Sequence, residues 1–254
     1  MFFHSTAPNY SLKGKTLLIP VVSTANLPQL AVDILIASLS LQLVGIFDPQ
    51  YFIPAVGARD DGSRGITTPF ELFGRDDLNV AVIQQRSPAL KSRKQDFVDE
   101  LLAFIQASDV QSTLFLSGVD LSNRTDNQMM IPLYHICPTH APALTSEPLS
   151  RVTQFHIPSY ASSSDAISEK ESIPFIPGGG LTRRILSSIP AQWSIPTCAL
   201  LQFVLEGDNR TDARMLASAV TKILDVDKQI SEWQEPYSWK QGLFGAPHDQ
   251  TLYG

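Results

Sequence analysis

The sequence predicts an α/β fold in which a central, mostly parallel sheet is flanked by helices. Two observations lead there. From Thr16 to Ser117, short apolar runs of strand length alternate with segments of helical period, the order that places helices on the faces of a parallel sheet. In addition, 43% of the 254 residues are apolar and 17% are charged, enough for one large core or two small ones.

The elements follow in chain order. Thr16 to Val22 is a compact apolar run and reads as a strand. Asn26-Leu27-Pro28 has the chemistry of a helix start, and Leu30, Ile34, Leu35 and Leu39 then recur at helical spacing. Leu43 to Phe47 reads as a second strand, closed by the turn-forming Asp48-Pro49, and the economical reading of these three elements is a βαβ unit. Residues 57–69 are rich in Gly, Asp, Arg and Thr, lack periodicity, and are expected to form an exposed loop. Leu78 to Gln84 reads as a buried strand. A helix starting at Ser92 would bury Phe97, Leu101, Phe104 and Ile105 and turn Asp96, Asp99 and Glu100 outward in its early turns. Val110 to Ser117 follows as a strand.

From Cys137 to Pro174 the composition shifts to Pro, Ser and Thr with repeated breakers, and this irregular excursion, centred on about 138–172, is expected to be the most mobile part of the chain. Beyond it, Leu181 to Leu186, Ala199 to Leu205 and Ala213 to Trp233 are expected to be helical, the last led by Thr211-Asp212. Gly207-Asp208-Asn209 reads as a helix C-cap plus turn. No internal repeat or heptad series interrupts this pattern.

Charge and motif content exclude several classes. A net charge of -6 argues against a nucleic-acid footprint, and the basic run Lys91 to Lys94 is too short to reverse that; it is expected to solvate a helix start. Two cysteines, Cys137 and Cys198, make no disulfide framework, lack CxxC spacing and lie in different apolar settings, which points to a reducing compartment. Met1 to Lys15 has no basic segment followed by an apolar stretch of signal type, and no apolar run approaches the ~20 residues that span a bilayer, so a soluble intracellular protein is expected.

Catalytic sets are also missing. No G-x-S-x-G elbow occurs, and Ser117-Gly118 lacks its first glycine. His4, His135, His140, His156 and His248 never pair at i, i+4, and His135 with Cys137 supplies only two ligands, so no metal site is expected. Gly178-Gly179-Gly180 could expose backbone N–H groups to a phosphate, but it runs directly into Leu181-Thr182-Arg183-Arg184 without the Gly-Lys-Ser/Thr of a P-loop. A tight structural turn is the preferred reading. No cofactor is implied, and the expectation is a protein that is not an enzyme.

Several stretches resemble one family, the proteasome assembly chaperone 2 family. They are Leu17-Leu18-Ile19-Pro20 with Val22, Ser23, Asn26 and Gln29-Leu30-Ala31; Phe175-Ile176-Pro177-Gly178-Gly179-Gly180; Leu201-Gln202-Phe203-Val204 with Glu206-Gly207-Asp208-Asn209; and Pro236, Ser238-Trp239 and Leu243-Phe244-Gly245. Their order and spacing cover nearly the whole chain, with residues 138–172 the poorest match. The resemblance implies one domain over residues 1–254, of phosphorylase-like three-layer architecture without a working active site. It also implies an obligate heterodimer with proteasome assembly chaperone 1, docking on proteasome α-type subunits in the α ring as the core particle matures, and occurrence in both cytoplasm and nucleus.

The last three residues, Leu252-Tyr253-Gly254, are similar to the hydrophobic-Tyr-any-residue tail of proteasome activators and of some assembly chaperones. A carboxylate on Gly254 can pair with a Lys between adjacent α subunits, Tyr253 offers a ring to bury and a hydroxyl to donate, and Leu252 adds apolar contact. A polar approach from about residue 246, including Pro247, His248, Asp249 and Gln250, is expected to carry this tail flexibly to its pocket. Two other functions stay open on the residues alone. One is a phosphorylase-like enzyme that uses the glycine turn for phosphate and Arg183 or Arg184 for charge neutralisation; the other is a generic adaptor working through the Pro/Ser/Thr excursion.

Overall fold

A computed structural model describes residues 2–59, 64–161 and 173–241. Its strands are β1 (Phe3–Ser5), β2 (Thr16–Pro20), β3 (Gln42–Phe47), β4 (Gly57–Ala58), β5 (Ile66–Thr67), β6 (Phe70–Gly74), β7 (Val80–Gln85), β8 (Ser112–Asp120), β9 (Leu133–Ile136) and β10 (Thr197–Val204). Its helices are α1 (Leu27–Ser38), α2 (Lys94–Ala107), α3 (Arg151–Gln154), α4 (Gly180–Ser187) and α5 (Arg210–Leu224). Eight strands make one sheet in the order β1-β3-β6-β7-β2-β8-β10-β9, while β4 and β5 form a separate hairpin.

The middle of the sheet, β7-β2-β8-β10, is parallel throughout. These four strands are buried residue after residue, so they read as unbroken apolar runs rather than alternating ones. Antiparallel strands close both flanks: β6, β3 and β1 on one side and β9 on the other. Leu18, Val82, Leu114, Leu116 and Leu200 face a layer built by α1 and α5, which pack on each other. Ile19, Ile83, Phe115 and Leu201 face the opposite layer, α2 and α4. The three layers are those expected.

Several elements differ from expectation. β2, α1 and β3 do form a parallel crossover, but β7 and β6 lie between the two strands, so the unit is not one of neighbours. Residues 57–69 contain the β4–β5 hairpin, pinned where Arg59 meets the buried Glu71 at 3.2 Å. Ala199 to Leu205 is not helical; Thr197–Val204 is the interior strand β10, paired on both sides. In consequence Gly207-Asp208-Asn209 is a strand-to-helix connection at the start of α5, where Asp208 accepts from the Arg210 backbone N–H and guanidinium. The last helix stops at Leu224, because Asp225 adopts the left-handed conformation (φ 58°) that ends helices. The excursion packs into the core through Leu149 and Val152, both fully buried, as far as residue 161; residues 162–172 lie outside the described residues.

Candidate functional site

In open α/β sheets, ligands bind beyond the carboxyl ends of the strands, where the strand order reverses. Here that point lies between β2, whose chain continues to β3 on one side, and β8, whose chain continues to β9 and β10 on the other. The segment after β2 fills it. Ala25 (φ 61°) and Asn26 (φ 50°) are both left-handed, so Asn26 starts α1 as a turn residue and makes no side-chain cap. Asn tolerates this conformation through its short polar side chain.

Surrounding groups lock that segment in place. The Ser23 hydroxyl accepts from Gly118 N–H at 2.8 Å and donates to Val21 C=O at 2.9 Å, and the Ala25 N–H donates to the Glu206 carboxylate at 2.9 Å. Gly178-Gly179-Gly180 forms the tight turn preferred from sequence: Gly178 has φ +74°, and Gly179 N–H donates to Ile176 C=O at 2.9 Å. A Cβ at Gly178 would overlap the Thr24 hydroxyl, and one at Gly118 would press on the Thr24 carbonyl. The switch point is therefore occupied by the chain's own loops. Its buried hydroxyls, Ser117 and Thr182, bond to each other at 2.8 Å, with no base positioned on either by the hydrogen bonds described.

A cleft of about 470 Å³ opens beside this turn, lined by Val22, Ile53, Lys91, Lys94, Gly178 and Leu181 among others. The two arginines weighed for charge neutralisation are directed elsewhere. Arg183 donates to Ile173 C=O at 3.2 Å, and Arg184 to the Gln95 side chain at 3.0 Å.

A second cluster was not legible as a site in the sequence. His135 and Cys137 lie at the end of β9, and Cys198 lies on β10. The antiparallel register sets Ile136 opposite Ala199 and His135 opposite Leu200, so one step further Cys137 meets Cys198. The two cysteines thus share a setting rather than occupying different ones. His135 is half-buried, and its Nδ1 donates to Ile157 C=O at 2.8 Å. Hydrogen bonding with the Cys198 thiol, followed by His135, pulls the Cys137 thiol down to about 5. The Cys198 thiol, fully buried, is pushed well up by its contact with Cys137 and by burial. His135 is raised, chiefly by its contact with Cys137. A residue pair 61 positions apart leaves no spacing signal; only the β9–β10 pairing could have revealed it.

Leu252, Tyr253 and Gly254 lie outside the described residues. Among the described residues, no three His, Cys, Asp or Glu side chains are grouped to hold a metal ion, and no helix is long and apolar enough to cross a membrane. Exposed apolar side chains include Met129, Met130 (90% exposed), Ile131, Phe155 and Met215, with Phe155 and Met215 lining a groove beside Leu133 and Ile157.

Comparison with known proteins supplies what the geometry does not. A model described as the PAC2 family matches residues 17–227. A Danio rerio protein named proteasome assembly chaperone 2 is 31% identical, with 100% of each chain covered. The Homo sapiens protein of the same name is 27% identical, with 95% of this chain and 96% of that one covered. Among solved structures, Pyrococcus furiosus PbaA, described as an archaeal homologue of proteasome-assembly chaperone, shares the fold at a TM-score of 0.62 and 14% identity, with 91% of each chain covered.

Proposed function

The chain belongs to the PAC2 family, and from that premise we propose that it is a proteasome assembly chaperone that acts by binding and not by catalysis. The observation that carries this reading is the end-to-end match, at 31% identity, to a protein named for that role. The filling of the sheet's switch point by the chain's own Ser23–Asn26 segment supports the non-catalytic part. In this reading the chain pairs with proteasome assembly chaperone 1, and the pair docks on α-type subunits of the core particle during α-ring assembly, in cytoplasm and nucleus.

The proposed anchor is Leu252-Tyr253-Gly254. The test is co-purification of the tagged full chain from cells, followed by identification of the bound proteins. Proteasome α-type subunits and a second chaperone are expected; their absence from a folded, expressed chain would overturn the reading. Deleting residues 252–254 should weaken recovery of α subunits and leave the partner chaperone bound. Tyr253→Ala should account for most of that loss, since a pocketed interface aromatic contributes ~2 kcal/mol, about thirtyfold in affinity. If both forms recover α subunits as well as the unaltered chain does, the anchor is elsewhere on the folded surface.

A further inference from the structure

We propose that Cys137 and Cys198 form a peroxide-sensitive dithiol, in which Cys137 is the sulfur attacked first and Cys198 closes a disulfide across β9 and β10. The placement comes from the sheet. β9 and β10 are antiparallel with Ile136 opposite Ala199, and continuing the register by one residue brings Cys137 opposite Cys198. Directly opposed residues of an antiparallel pair have Cα atoms about 4.5–5.5 Å apart, inside the roughly 4.4–6.8 Å that a disulfide spans. Alternation along the strands puts both sulfurs on the face of the sheet that carries Leu200, so no strand has to turn over for them to meet.

The two thiols differ in access. Cys137 is exposed, whereas Cys198 is fully buried within the core beneath α1 and α5. A small oxidant can therefore reach one and not the other. His135 stands two residues before Cys137 on the same side of the strand. Its ring is fixed by the Nδ1 bond to Ile157 C=O. Its backbone is fixed as well, by His135 N–H to Pro158 C=O at 2.9 Å and Tyr160 N–H to His135 C=O at 2.8 Å. This leaves the imidazole beside the Cys137 sulfur, where it favours the thiolate, the form that reacts.

The chemistry balances with a hydroperoxide as the oxidant. The Cys137 thiolate attacks one peroxide oxygen, the O–O bond breaks, and the departing oxygen takes a proton to leave as water or an alcohol, giving a sulfenic acid. The Cys198 sulfur then attacks the Cys137 sulfur; the S–O bond breaks, and hydroxide leaves with the Cys198 proton as water. Two thiols and one peroxide thus become one disulfide and either two waters, from hydrogen peroxide, or one water and one alcohol, from an organic hydroperoxide.

The test uses the reduced full-length chain and hydrogen peroxide. Intact mass should fall by two hydrogens, and digestion should yield a Cys137–Cys198 linked peptide that a dithiol reductant separates. Cys198→Ala should stop at the sulfenic acid, trapped as a dimedone adduct on Cys137, and Cys137→Ala should abolish both products. In the folded chain, iodoacetamide should label Cys137 at least about tenfold faster than Cys198, as exposure and thiolate character require. A linked peptide that forms only after denaturation, or the absence of any Cys137–Cys198 bond while Cys137 is oxidised, would overturn the proposal. So would equal labelling of the two thiols.

Discussion

At Gly178, a left-handed torsion and a steric limit coincide. With φ at +74° and the Thr24 hydroxyl where a Cβ would go, Gly178→Ala should cost about 2–4 kcal/mol in denaturant unfolding, the sum of backbone strain and overlap. Adding Thr24→Ala should return part of that loss; no recovery in the double variant would mean that strain alone sets the cost. Lys15 carries a second residue-scale prediction. It is nearly buried, and its ammonium donates to the carbonyls of Arg75 (3.2 Å), Asp76 (3.3 Å) and Leu78. Lys15→Ala strands these acceptors and should destabilise by about 1–3 kcal/mol, measured in the same way. The glycine triplet announced a turn from sequence because consecutive glycines have few other uses. Its partner Thr24, more than 150 positions away, had no local signature, and neither did the pairing of Cys137 with Cys198.

Elements were legible in proportion to their periodicity. α2 and α4 were placed closely because their apolar residues recur at helical spacing, and β2 because a short apolar run there precedes turn chemistry. β10 was misread for a physical reason: a strand covered by helices on both faces loses its alternation, and Cys-Ala-Leu-Leu-Gln-Phe-Val is then an apolar string without a period. β6 was missed because Glu71 interrupts it; that carboxylate is buried against Arg59 and the Thr68 N–H, contacts that only the folded chain supplies. Placing β10 in the core makes Leu200→Ala a cavity-forming change, expected to cost 2–5 kcal/mol. A helix in its place with one face in solvent would have predicted much less. Equilibrium unfolding distinguishes the two.

For the molecule as a whole, the three layers and the mostly parallel sheet were readable from the order of elements, but the strand order was not, since it depends on long-range pairing. Exposed Met129, Met130, Ile131, Phe155 and Met215 leave apolar surface without a cover in the isolated chain. Expressed alone, the protein should self-associate at micromolar concentration, and co-expression with the partner chaperone proposed above should restore a single species in light scattering. A monodisperse monomer would count against that dependence. The sheet order also bears on synthesis. β9 is made before β10, the strand that inserts between it and β8; on its other side β9 is held among the described residues by the His135 backbone bonds to Pro158 and Tyr160. A nascent chain therefore emerges from the ribosome with β9 not yet joined to the sheet and β8 an open edge for some 60 residues of elongation. In that interval the half-made sheet offers its backbone to any extended segment nearby, and arrival of residues 197–204 closes the opening.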